Sequence, residues 1–137
     1  MTLNTNELFS SVTRGAFPRA EPANDGIMPK TFAIDAGATV IPLMAPVAVV
    51  TASGEWVFWD DAGAVAGSQI IRGFMWEDPS ITTSATEEVL ANVFMLGTVH
   101  LDDIVLIAGN TLANLKTALQ TTVRERGIIV QGLELYR

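Results

Sequence analysis

The chain predicts a mostly β fold (α+β), with one helix over about residues 110–126 and an extended arm at the N-terminal end. Three observations carry that prediction. Short apolar, β-branched runs broken by Gly, Pro and Asp recur from Phe32 onward. A helical apolar stripe occurs once, near the C-terminal end. The first 31 residues hold Pro18, Pro22 and Pro29 and no sustained period. At 137 residues the chain suits one domain with a core of its own. The division expected is an arm over residues 1–31, flexible when free, and a single β domain over 32–137.

The apolar residues of the arm are sparse: Leu3, Leu8, Phe9, Val12, Phe17 and Ile27. They cannot offset the ~1–2 kcal/mol per residue that backbone ordering costs. The segment reads either as a frayed terminus or as an arm that folds onto a partner. After Phe32, Asp35-Ala36-Gly37 reads as a turn. Val40–Val50 contains Pro42 and Pro46, which fits edge strands or bulges better than a central strand.

The densest β pattern runs from Val47 to Asp78 and holds all three tryptophans, Trp56, Trp59 and Trp76. Val47–Thr51 predicts a strand, Ser53-Gly54 a tight turn, and Glu55–Trp59 a second strand. Alternation puts Trp56 and Phe58 on one face of that strand, with Val57 and Trp59 on the other. Asp60–Gly63 breaks it, and Ile70–Trp76 resumes the pattern, with Gly73 marking a bulge or a close backbone approach. The tryptophans read first as core. Val89–Leu96 is a further apolar run that Gly97 stops, followed by Thr98–Leu101 and the short run Ile104–Ile107.

Asn110 or Thr111 can cap the helix. Leu112, Leu115, Ala118, Leu119 and Val123 form its apolar stripe, and Arg124 and Arg126 suit the negative end of its dipole. Gly127 ends it, and Ile128–Val130 predicts a buried strand.

Composition excludes several functions. Net charge is −7 and the only lysines are Lys30 and Lys116. Nucleic acid and anionic membrane surfaces both call for clustered cations, so neither is an expected partner. The opening MTLNTNELFSS lacks the basic and apolar regions of a signal peptide. Charged residues are 17% of the chain, against roughly 25% in a typical soluble protein. With 49% hydrophobic residues, such a surface predicts apolar area that another chain covers.

Chemistry is poorly represented. The chain has no cysteine and one histidine, His100. Asp102 or Asp103 could accompany it in a triad, but no GxSxG elbow or other activated nucleophile occurs. The acidic doublets Asp60-Asp61, Glu77-Asp78, Glu87-Glu88 and Asp102-Asp103 follow no EF-hand spacing. Neighbours in a strand point to opposite faces, so a doublet is not a catalytic pair. No phosphate-binding glycine loop is present. The residues therefore point away from an enzyme, a metal site or a cofactor.

The ordered series Val47–Thr51, Ser53-Gly54, Trp56–Asp60, Gly67-Ser68 and Gly73-Phe74 resembles the bacteriophage lambda-type head decoration proteins. The likeness continues through Val93–Gly97–Val99, Ile104–Ile107, the helix, and Arg126–Val130, covering roughly residues 38–131. It implies a β-clip-like small barrel with one packed helix. It also implies a homotrimer on the outer capsid surface of the virion, made in the bacterial host cytoplasm. That trimer would cement major capsid (coat) protein subunits against internal DNA pressure. The arm would contact coat protein, with Leu8, Phe9, Val12 and Phe17 as the candidate anchors. The alternative is a small β-barrel binding module for a carbohydrate or receptor, with Trp56, Trp59 and Trp76 as stacking platforms. Between those roles, the tryptophans are candidates for the core or for self-association.

Overall fold

The computed structural model describes residues 20–107, 109–120 and 127–132, and the account that follows concerns these. Its centre is a closed five-stranded barrel. The barrel strands are β2 (Ile27–Phe32), β4 (Pro46–Val49), β5 (Trp56–Phe58), β6 (Gly73–Met75) and β8 (Val89–Phe94). They follow one another around the barrel as β2-β5-β4-β6-β8. β2 and β8 pair antiparallel over six residues, from Ile27↔Phe94 to Phe32↔Val89. β2 closes the barrel on its other side through a single parallel register pair, Phe32↔Trp56.

Two smaller sheets complete the fold. β1 (Glu21–Pro22), β9 (Gly97–His100) and β10 (Ile128–Gln131) form one, with β9 in the middle. β10 runs parallel to β9, and β1 runs antiparallel to it. β3 (Val40–Pro42) and β7 (Ser80–Thr82) form the other, a two-stranded antiparallel ladder. Among the described residues one α-helix occurs, α1 (Leu112–Ala118). Thr111 caps it by accepting the Asn114 N–H at 3.2 Å. The mostly β fold with one helix near the C-terminal end is therefore present as predicted.

Alternation along the strands divides the core in two. Phe32, Val47, Trp56, Met75, Ala91 and Val93 belong to one buried cluster, and every barrel strand contributes to it. This is the barrel interior. The second cluster lies between the barrel wall and the outer layer. It joins Trp59, Phe74 and Phe94 to Val99 of β9, Ile128 of β10, and Leu115, Ala118 and Leu119 at the helix. Trp56 and Trp59, three residues apart, thus serve opposite sides of the wall, as their spacing predicts. Full burial of side chains such as Leu115 and Leu119 stabilises the packing by roughly 1.5–3 kcal/mol each.

Four expectations need correction. The boundary between arm and domain does not fall at residue 31, because Ile27–Phe32 is a barrel strand and Glu21–Pro22 pairs with β9. Over Ile27–Thr31, β2 has a register partner on one side only, so Pro29 is tolerated there. The Val40–Val50 region is not confined to edges, since β4 lies between β5 and β6. Pro46 is its first residue, the position where a missing N–H costs a ladder least. Leu112 of the expected stripe is exposed, because it sits in the first turn of a short helix. Ile128–Val130 is not buried throughout: Ile128 faces the core and Ile129 faces solvent, as an outer strand requires. Val123, Arg124 and Arg126 lie outside the described residues, so α1 is seen over only part of the expected 110–126 span.

Close approach explains Gly73, now the first residue of β6 rather than mid-strand. A Cβ there would stand 2.7 Å from Val93 Cγ1 and 2.8 Å from the Phe94 carbonyl. Gly67 is more constrained still: at φ +99° its Cβ would lie 2.1 Å from the Val49 carbonyl oxygen. Gly54 also has positive φ, +77°, but nothing lies within 4 Å of its Cβ position. Gly67→Ala should therefore cost about 3 kcal/mol, from backbone strain and overpacking together, and Gly54→Ala about 1 kcal/mol from strain alone. Urea unfolding of the two variants checks this, and equal midpoints would contradict the close approach at Gly67.

Candidate functional site

Where β2 ends at Phe32 the chain turns away from β5, and a cleft of about 250 Å³ opens between them. Ala33, Ile34, Asp35 and Ala36 form one wall, while Trp56, Val57 and Phe58 form the floor. The third side is the loop from Asp60 to Ser68. Ile34 and Val65 on opposite rims are 54% and 52% exposed, although both are large and apolar. Solvent-facing apolar walls around a recess suit a partner's side chains.

The loop that forms the third side is tied to the barrel from several directions. The Asp60 N–H donates to the Ser68 carbonyl at 2.9 Å, and the Thr51 N–H to the Ala66 carbonyl at 2.9 Å. Ser68 Oγ donates to the Val65 carbonyl, and the Gln69 side-chain amide donates to the Gly63 carbonyl. Trp59 Nε1 donates to the Gln69 carbonyl at 2.9 Å, which fastens the loop to the second core. Asn110, which does not cap the helix, bridges the same region: its Nδ2 donates to the Trp59 and Ile107 carbonyls, and its Oδ1 accepts the Asp61 N–H.

The opposite wall is ordered by Asp35. Its Oδ1 accepts the Gly37 N–H at 2.9 Å, and its Oδ2 accepts the Thr39 N–H at 3.1 Å and the Thr83 hydroxyl at 2.9 Å. The turn expected at Asp35–Gly37 is thereby pinned to the start of the β7–β8 connection. These donors favour the carboxylate and bring its pKa to about 2. The Thr39 side chain is the largest influence. Partial burial opposes it, and the Gly37 N–H, the Thr83 hydroxyl and the Thr39 N–H add to it.

The residues singled out from the sequence are dispersed. Trp59 is fully buried and Trp56 is 6% exposed, so both are core and neither is a surface stacking platform. Trp56 nonetheless reaches the cleft floor, and Lys30 Nζ covers its ring at 5.8 Å from the centroid. Trp76 is half-buried against Phe94, with ring centroids 5.4 Å apart. Leu8, Phe9, Val12 and Phe17 lie outside the described residues.

His100 ends β9, far in sequence from the cleft residues. Its Nδ1 accepts the Asp102 N–H at 3.2 Å and stands 3.7 Å from Asp102 Oδ2. That geometry caps a 3-10 turn over Leu101–Asp103. Among the described residues no group of three or more His, Cys, Asp or Glu side chains could hold a metal ion. No helix among them is long and apolar enough to cross a membrane.

Sequence reasoning placed the Asp35 turn and the Gly-rich loop but did not join them. The signal available was the pair of apolar residues, Ile34 and Val65, each set within a turn-rich stretch. No protein-family model and no curated protein matches the chain.

The lowered pKa of Asp35 gives the cleft wall an acid signature. Its folded-state pKa is below its unfolded value, so its contribution is complete above about pH 4 and is lost as pH falls towards 2. Discounted for solvent contact, that contribution is about 1 kcal/mol. Asp35→Asn should lower stability at pH 7 by that amount and flatten the loss between pH 4 and 2. Urea titrations at stepped pH check it, and parallel curves for the two proteins would contradict it.

Proposed function

We propose that this protein is a phage head decoration protein. In this reading it sits as a trimer on the outside of the expanded capsid and cements neighbouring coat subunits against the pressure of packaged DNA. The observation that carries the reading is the order of its parts. Strand, tight turn, aromatic strand, glycine loop and strand run from Pro46 to Met75 within one small closed barrel. A six-residue strand, a second strand starting at Gly97 and a capped helix follow in the order the resemblance implies.

The surface supports the same reading. Leu90 is 70% exposed on a barrel strand, and Ile129 is 63% exposed in the separate three-stranded sheet. Apolar exposure at several places suits a subunit that meets more than one neighbour, here sister copies and coat protein. The acidic balance suits a protein of the outer surface that never meets DNA. The distal part of the arm, through Leu8 and Phe9, is the segment proposed to reach the coat lattice by strand addition.

Co-sedimentation with expanded and unexpanded shells of the cognate coat protein tests the reading. Binding to expanded shells alone is expected. Deleting residues 2–10 should leave the circular dichroism unchanged and weaken binding by roughly 10²-fold or more, because three tethered contacts are lost together. His100→Ala should bind as the wild type does, since no part of the reading uses the imidazole. Equal affinity for both shells, or for neither, would overturn the reading.

A further inference from the structure

One side chain outside the cleft ties its third side to the helix. The loop over residues 60–68 is bonded mainly to itself. The Gly63 N–H donates to the Asp60 carbonyl at 3.0 Å, and the Ser68 N–H to the Val65 carbonyl at 3.0 Å. The Asp60 N–H, the Ser68 hydroxyl and the Gln69 amide close the same ring of contacts. A loop closed on itself in this way shifts as a body, so its position depends on where that body is fastened. Among the described residues, two hydrogen bonds join residues 60–69 to chain beyond Trp59 and Ile70. The Thr51 N–H holds the Ala66 carbonyl at 2.9 Å, and Asn110 Oδ1 holds the Asp61 N–H at 3.1 Å.

Asn110 is fixed by its own bonding. Its Nδ2 donates to the Trp59 carbonyl at 2.8 Å and to the Ile107 carbonyl at 2.9 Å. Both amide hydrogens and the amide oxygen are engaged, and turning the group over would set its oxygen against two carbonyls. The next residue, Thr111, begins the helix. Its hydroxyl accepts the Asn114 N–H, and its carbonyl accepts the Leu115 N–H at 3.0 Å. Leu115 packs in the same buried cluster as Trp59. The cleft loop, the helix cap and the second core thus meet at Asn110-Thr111.

We infer that Asn110 is a latch between the cleft and α1, so that the loop over residues 60–68 and the first turn of the helix open together. Release of the helix start withdraws the Asn110 side chain from Asp61 and Trp59 and frees the third side of the cleft. Displacement of the loop at Asp61 acts in turn on the residue that precedes the cap. Such coupling is reciprocal and belongs to local opening of the fold. It needs neither a capsid nor an occupant in the cleft, so its failure and the failure of the capsid reading are separate results.

Amide hydrogen exchange, followed residue by residue by NMR on the full chain, tests the latch. Asp60 and Gly63 report the loop and Leu115 the helix. Met75, whose N–H donates to the Ala45 carbonyl within the barrel, is the reference. Thr111→Ala removes the cap and leaves Asn110 in place. It should speed exchange at Leu115, Asp60 and Gly63 by the same factor, roughly fivefold, with Met75 unchanged. In the Asn110→Ala chain the two parts are uncoupled, and adding Thr111→Ala should speed Leu115 alone. Circular dichroism verifies that each variant keeps its fold. Thr111→Ala acting on Leu115 alone in the otherwise wild-type chain would overturn the proposal, and this arm decides even if Asn110→Ala does not fold. So would a loop response that persists without the Asn110 side chain, or an equal acceleration at Met75, which marks opening of the whole domain.

Discussion

The barrel depends on one short seam. Four of its five strand junctions are antiparallel ladders, but β2 meets β5 at the single pair Phe32↔Trp56. The Ala33 N–H adds a bond to the Trp56 carbonyl at 3.0 Å. So brief a junction would be weak as a ladder alone. It holds because Phe32 and Trp56 both enter the barrel interior, where Val47, Met75, Ala91 and Val93 enclose them. Burial of two aromatic side chains supplies more than the hydrogen bonds do. The same brevity creates the cleft, because the strands part immediately beyond the pair. Closure and cleft are two consequences of one geometry.

The second core sets how the rest of the chain is used. Trp59, Phe74 and Phe94 project from the outside of the barrel wall and need a cover. A separate three-stranded sheet and a short helix provide it, each giving one apolar face. Those covering elements are only one layer thick, so their other faces meet solvent, and Leu112 and Ile129 are exposed there. A chain this rich in apolar residues cannot hide them all in a domain of this size. The excess is displayed at separate places, among them Leu90, Leu112 and Ile129.

Much of this was legible from residue order. The turn at Ser53-Gly54 and the division of Trp56 from Trp59 followed from period-two alternation and from glycine. The Thr111 cap and the burial of Leu115, Ala118 and Leu119 followed from period-3.6 patterning. The first barrel strand was not legible. Ile27–Phe32 contains Pro29 and Lys30, and local propensity argues against a strand there. Tertiary pairing with β8 along its whole length overrides that propensity. The parallel pairing of β10 with β9 was hidden for a related reason, since Gly97 and Ile128 are distant in sequence and no local signal joins them. The cleft was hidden because its walls come from three stretches that only barrel closure brings together.

The central claim is that this barrel is a capsid-cementing subunit, and a cryo-electron microscopy map of expanded shells incubated with the protein tests it most directly. The account predicts density on the outer surface at local threefold positions, three barrels to a cluster, each touching coat protein. Bare shells, or isolated single copies at every occupied position, would contradict it.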